Sequence, residues 1–209
     1  VEPVQGEGGI RPMSLDYLKG LRKITDEFGV LLIFDEVQCG IGRTAKLFAH
    51  EWAGIEPDVL AAAKALAGGF PIGACLAKEA PAAALTSGSH GSTFGGNPLA
   101  MAVANAVLDV VLADGFLDRV DAMARKLWTR LEELVAGNPK VFEEFTGAGL
   151  MVGLKCVPEN ATVVEKFTEG GLLTVAAGNN VVRLVPPLII EDSHVDEALT
   201  IMEKACAAL

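Results

Sequence analysis

Two runs, Val30-Leu31-Leu32-Ile33-Phe34-Asp35-Glu36 and Val59-Leu60-Ala61-Ala62-Ala63-Lys64, decide the fold. Each is a short apolar segment that ends in charge. Unbroken apolar runs of this length suit strands buried on both faces of a parallel sheet. Working outward, Ser14 caps a predicted helix over Leu15–Phe28, with Leu15, Leu18, Leu21 and Ile24 on its apolar face and Gly29 as its stop. Downstream, Gly68-Gly69-Phe70-Pro71 is a turn and Ile72–Ala77 a third strand. Leu99–Leu112 is apolar nearly all round, which predicts a deeply buried helix. Strands alternating with helices over 1–112 imply an α/β domain with a mainly parallel sheet.

Composition changes after Leu112. Leu117–Val135 reads as a charged amphipathic helix. Strands are expected at Gly149–Cys156, Leu172–Val175 and Val181–Val185, and a last helix at Val195–Ala208. Residues 113–209 therefore form a smaller α+β domain. The opening Val1-Glu2-Pro3 reads as the end of a strand entering a loop, so the chain is expected to be a piece of a longer protein.

The net charge of −10 argues against nucleic acid and anionic membranes as partners. Val59–Ala77 is apolar, but Lys64, the Gly68-Gly69 pair and Pro71 make it a buried strand–turn–strand rather than a membrane span. Cys39, Cys75, Cys156 and Cys206 form no C-x-x-C pair and read as reduced, buried residues, which favours a cytoplasmic setting. His50, His90 and His194 are far apart in sequence, and no metal-ligand cluster is visible.

Ligands of open α/β sheets sit beyond the carboxyl ends of the strands, where Asp35 and Lys64 both fall. Lys64 is the only charged residue between Asp58 and Lys78, and its neighbours are mostly alanine. A lysine in dry surroundings loses basicity and becomes a nucleophilic amine; a lysine that snorkels to solvent is the plain alternative. Asp35 could meet the edge of a ring while Val37 packs on its flat side, provided the extended backbone persists; otherwise Val37 is simply core. The glycine-rich Gly88–Pro98 loop offers the hydroxyls of Ser89, Ser92 and Thr93, which can cradle a phosphate or belong to an ordinary loop. Arg183, inside Val181–Val185, demands an anionic partner, and Glu7 is one candidate.

Several motifs occur in order: Glu2-Pro3-Val4-Gln5-Gly6-Glu7; Phe34-Asp35-Glu36-Val37-Gln38 with Gly42-Arg43-Thr44; and Ala63-Lys64-Ala65-Leu66-Ala67-Gly68-Gly69-Phe70. His90-Gly91-Ser92-Thr93-Phe94-Gly95-Gly96-Asn97-Pro98 and Val182-Arg183-Leu184-Val185-Pro186-Pro187 complete the series. Together they resemble the class III aminotransferases, the ornithine/acetylornithine aminotransferase family, over the whole chain but only the C-terminal half of the family's length. Lys64–Gly73, Ser92–Asn97 and Ala177–Arg183 look most like the acetylornithine subgroup, whose reaction belongs to arginine biosynthesis.

The resemblance implies a type I pyridoxal-phosphate (PLP) transferase fold, with 1–112 as the C-terminal part of the PLP-binding domain and 113–209 as the small C-terminal domain. Lys64 would hold PLP covalently and then shuttle the proton, and Asp35 would keep the pyridine nitrogen protonated. The implied cofactor-binding set is Asp35, Glu36, Val37, Gln38, Lys64 and Thr93, with Gln38 on the phenolic oxygen, Val37 on the ring face and Thr93 on a neighbouring subunit's phosphate. Ser92, Arg183 and Glu7 would bind substrate. Arg183 would take the α-carboxylate of 2-oxoglutarate, and Glu7 would screen it in the other half-reaction. A homodimer with shared active sites follows, acting on an amino donor and 2-oxoglutarate, with N-acetylornithine as the donor. Another ω-aminotransferase donor (ornithine, succinylornithine, succinyl-diaminopimelate or 4-aminobutyrate) or an inactive fragment are the alternatives. The 209 residues alone are expected to bind PLP weakly and to turn over negligibly. Ala45 stands where the family usually has glycine, a costly choice if the backbone there has positive φ.

Overall fold

A computed structural model describes residues 1–209. In chain order its elements are β1 (Val4–Gln5), β2 (Arg11–Pro12), α1 (Leu15–Phe28), β3 (Ile33–Asp35), β4 (Val59–Ala62), β5 (Ala74–Ala77) and the short α2 (Glu79–Ala82). Then follow α3 (Pro98–Val111), α4 (Phe116–Gly137), β6 (Phe142–Ala148), β7 (Met151–Cys156), α5 (Asn160–Glu169), β8 (Val175–Ala177), β9 (Val181–Leu184) and α6 (Asp192–Cys206). Single 3-10 turns occupy Ala49–Ala53 and Lys64–Ala67. The chain divides into two units: Val1–Pro3, Met13–Gly42 and Lys46–Leu117 form one, and Val4–Pro12, Arg43–Ala45 and Asp118–Leu209 the other.

In the first unit the sheet order is β3-β4-β5. β3 and β4 are parallel, with Asp35 opposite Ala61, whereas β5 runs antiparallel to β4, so the sheet is mixed. Helix α1 occupies the predicted span because its punctuation is strong. The Ser14 side chain accepts the Tyr17 N–H, and Gly29 closes the helix in the left-handed region. Leu18 of α1 packs with Leu32, Phe34 and Ala53. Arg22 of α1 donates to Asp58 at 2.9 Å, and the same carboxylate oxygen accepts the Leu32 N–H at 2.8 Å, tying helix, β3 and the approach to β4 together.

Two expectations fail here. The run Val30–Phe34 is not buried on both faces: Phe34 is buried, but Val30, Leu31 and Ile33 are exposed. Nor is α3 deeply buried, since only Ala100, Ala104 and Val111 are enclosed while Leu99 and Val110 face outward. In both cases only one side of the element is covered by residues of this chain.

The second unit is built on an antiparallel sheet of order β6-β7-β9-β8. β7 is central, and Met151, Val152, Leu154 and Cys156 are all buried. Its core also takes Leu131 of α4, Phe167 of α5 and Leu199 of α6. Arg43 donates to the carbonyls of Leu150 and Pro186, which anchors the 43–45 loop, and burial lowers the pKa of its guanidinium to about 10. Ala45, in the same loop, is buried and has φ of 64°, the left-handed conformation that glycine adopts without strain. Strand β6 and helix α5 were not anticipated from sequence.

Candidate active site

The parallel register sets the first group of residues. Asp35 is the last residue of β3, paired with Ala61 of β4, and Lys64 follows β4 by two positions. Both side chains are exposed, at the same end of adjacent parallel strands. From Ala61, the register partner of Asp35, to Lys64 the chain carries only alanine, which leaves room for a flat ligand. Lys64 has φ of 47°, uncommon for a non-glycine residue and a mark of locally strained backbone. The dry surroundings expected from its alanine-rich neighbourhood are not present, because Lys64 itself is exposed.

Beyond Asp35 the backbone does not stay extended. It turns over 37–40, and the Val37 N–H donates to Asp35 Oδ1 at 3.0 Å. The strand-alternation reason for placing Val37 on a ring face therefore lapses, although Val37 stays beside Asp35. Glu36 points the other way. It is fully buried, and its carboxylate accepts the N–H groups of Ala49 (2.6 Å) and His50 (2.9 Å) and contacts His50 Nδ1 at 2.7 Å. A side chain so engaged has no free oxygen to offer a ligand. Gln38 is half-buried in the same turn.

Ser92 and Thr93 are exposed in the loop that leads to α3. The loop ends at Asn97, whose side chain caps α3 by accepting the Ala100 N–H at 2.9 Å.

In the second unit Arg183 pairs with Glu7, one candidate partner from the sequence. Arg183 lies on β9 with its side chain 10 % exposed, while that of Glu7 is 74 % exposed. The loop carrying Glu7 is fastened by its backbone: the Gly178 N–H donates to the Glu7 carbonyl at 2.8 Å. Gly9, with φ of 105°, packs so closely that an added Cβ would lie 2.5 Å from the Gly178 carbonyl oxygen.

Three cysteines, Cys39, Cys156 and Cys206, are buried as expected, but Cys75 on the edge strand β5 is exposed. Burial raises the Cys156 and Cys206 thiols to about 11. No group of His, Cys, Asp and Glu could hold a metal ion, and no single helix is long and apolar enough to cross a membrane.

Residues 1–206 match the family described as aminotransferase class III. The chain is 56 % identical over 199 residues to an acetylornithine aminotransferase of Mesorhizobium japonicum, covering 95 % of this chain and 50 % of that protein. It matches the solved structure of Plasmodium falciparum ornithine delta-aminotransferase with a TM-score of 0.93 and 37 % identity, over all of this chain and 54 % of the other. An acetylornithine aminotransferase structure from Elizabethkingia anophelis matches with a TM-score of 0.92 and 35 % identity, over all of this chain and 56 % of the other. The chain thus spans about half the length of the relatives it matches. Proteins of this class depend on PLP. The residues present suit that group: an exposed carboxylate and an exposed amine at one end of two neighbouring parallel strands, with alanine between.

Proposed function

The chain belongs to the class III aminotransferases, and on that premise we propose that it is the lysine-bearing half of an acetylornithine aminotransferase, moving the δ-amino group of N-acetylornithine to 2-oxoglutarate. The observation that carries the reading is the placing of Asp35 and Lys64 at the carboxyl ends of β3 and β4. Lys64 would hold the cofactor, and its amine would take and return the proton at the amino-bearing carbon of the substrate. Asp35 would accept a hydrogen bond from the pyridine nitrogen. When bound, PLP would supply the electron sink for that carbon. Val37 and Gln38, in the turn after Asp35, would complete the cofactor-holding set.

Thr93 and Ser92 are exposed, as groups serving a neighbouring subunit must be, which supports a homodimer in which Thr93 reaches the partner's cofactor phosphate and Ser92 its substrate. In residues 113–209, read as the small domain, Arg183 binds the α-carboxylate of 2-oxoglutarate. Glu7 covers Arg183 when the cationic donor enters and swings away for the dicarboxylate, a motion its exposure permits. The likeness to ornithine delta-aminotransferase favours ornithine as the second choice of donor.

The test is made on the full-length protein that carries this sequence. Reconstituted with PLP, it is expected to show an absorption band near the visible edge and turnover with N-acetylornithine, both abolished in Lys64→Ala. A Lys64→Ala protein that keeps the band would sink the assignment of Lys64. Faster turnover with ornithine would replace the donor.

A further inference from the structure

Glu36 is spent on the interior of the protein, yet it lies between two residues of the proposed cofactor site. Its peptide N–H donates to the Ala61 carbonyl at 2.9 Å, which extends the β3–β4 ladder by one step toward Lys64. Its carbonyl accepts the Gly40 N–H at 3.0 Å, closing the turn over 37–40. Its carboxylate is filled by the Ala49 and His50 N–H groups and by His50 Nδ1, and Cys39 Sγ lies 3.7 Å away. Two backbone N–H groups already donate to the carboxylate, and the Nδ1 contact adds a third partner on the same oxygen that accepts the His50 N–H. The fit is tight on every side. A Cβ at Gly40 would lie 2.7 Å from the Glu36 carbonyl oxygen, and the His50 ring stacks on Phe48 with centroids 5.7 Å apart.

Asp35 has no such anchorage. Its exposed side chain is held by the Val37 N–H, so the direction of its carboxylate is set by the peptides at 35–37. From this geometry we infer that Glu36 and His50 are positioning residues: the buried Glu36–His50 bond fixes the end of β3 and thereby aims Asp35 at the pyridine nitrogen. The inference rests on the reading of Asp35 and Lys64 as cofactor groups. His50 acts through Glu36 and touches no ligand. Its bond is one of four to the carboxylate, and its loss leaves an oxygen under-satisfied in the interior.

Two crossed variants of the full-length protein separate the bond from simple packing. His50→Phe keeps a ring against Phe48 and loses the donor. His50→Asn loses the ring, but its amide nitrogen can stand where Nδ1 stood. PLP affinity of the cofactor-free protein, the position of the bound-cofactor absorption band, and amide exchange at Val37 are measured for both. The expected result is about tenfold weaker PLP binding, the order of one lost charge-assisted bond, a displaced band and faster Val37 exchange in His50→Phe. His50→Asn restores all three toward the parent values, whatever its melting temperature. Parent-like behaviour in both variants, equal impairment in both, or impairment confined to His50→Asn overturns the inference. If His50→Phe does not fold, Glu36→Gln takes its place, because its amide NH2 would face an N–H donor on one side; unchanged affinity there is equally fatal. Lys64→Ala run alongside keeps the two readings apart, since a surviving band in that control refutes the site itself rather than the brace behind it.

Discussion

At the level of single residues, Ala45 is the clearest mismatch between side chain and backbone. It occupies a left-handed position, buried, in a loop fastened by Arg43. Ala45→Gly is expected to stabilise the protein by about 1 kcal/mol, the strain relieved outweighing the entropy gained by the unfolded chain. Chemical denaturation reads this directly, and a destabilised glycine variant would show that the loop already absorbs the strain. Lys64 presents the same left-handed backbone, at the position proposed to hold the cofactor. The need of Arg183 for an anion was legible in the letters, because an arginine inside an apolar strand demands one, and Glu7, 176 residues away in a glycine loop, was one candidate. The inward direction of Glu36 follows the same alternation that buries Phe34 and exposes Asp35, whereas the surroundings of Val37 were not legible, because the extended backbone ends just before it.

Among the elements, α1 and its neighbours hinge on Asp58. Burial pushes its carboxyl up, but the Leu32 N–H, the Arg22 guanidinium and Lys78 together outweigh this and hold it below the ordinary carboxylate range. A depressed folded pKa contributes stability that is fully present above the unfolded value, about 3.9, and is lost as pH falls through the folded one. Asp58→Asn should cost about 1–3 kcal/mol at neutral pH and flatten the acid limb of a stability-against-pH profile measured by denaturant unfolding. An unchanged acid limb would mean that other carboxylates govern it. The span of α1 could be read because Ser14 and Gly29 mark its two ends. Helix α5 escaped notice because Glu159 at its N-cap makes no side-chain capping bond, and only Val163 and Phe167 are fully inside. Strand β6 was hidden by Glu143 and Glu144, which break any apolar alternation.

For the molecule as a whole, the first unit leaves a large apolar surface open. Phe28, Val30, Leu31, Ile33, Phe94 and Leu99 are all exposed in the first unit. Apolar exposure on this scale marks a contact surface or an aggregation liability. The 209-residue polypeptide on its own is expected to bind a hydrophobic dye strongly and to scatter more light as its concentration rises, whereas the full-length protein should do neither. Equal dye binding by both would mean that this surface stays open in the longer chain. The sheet order within each unit depends on pairings distant in sequence, and the reversal of β5 in particular had no local signal, because Ala74–Ala77 reads alike in either direction.

The left-handed turn at Lys64 places durability and chemistry in opposition. A chain chosen only for toughness would put glycine there, and Lys64→Gly is expected to raise the melting temperature of the cofactor-free protein slightly while ending its usefulness. Any campaign that selects variants for heat resistance without also demanding turnover would discard the amine proposed to hold the cofactor.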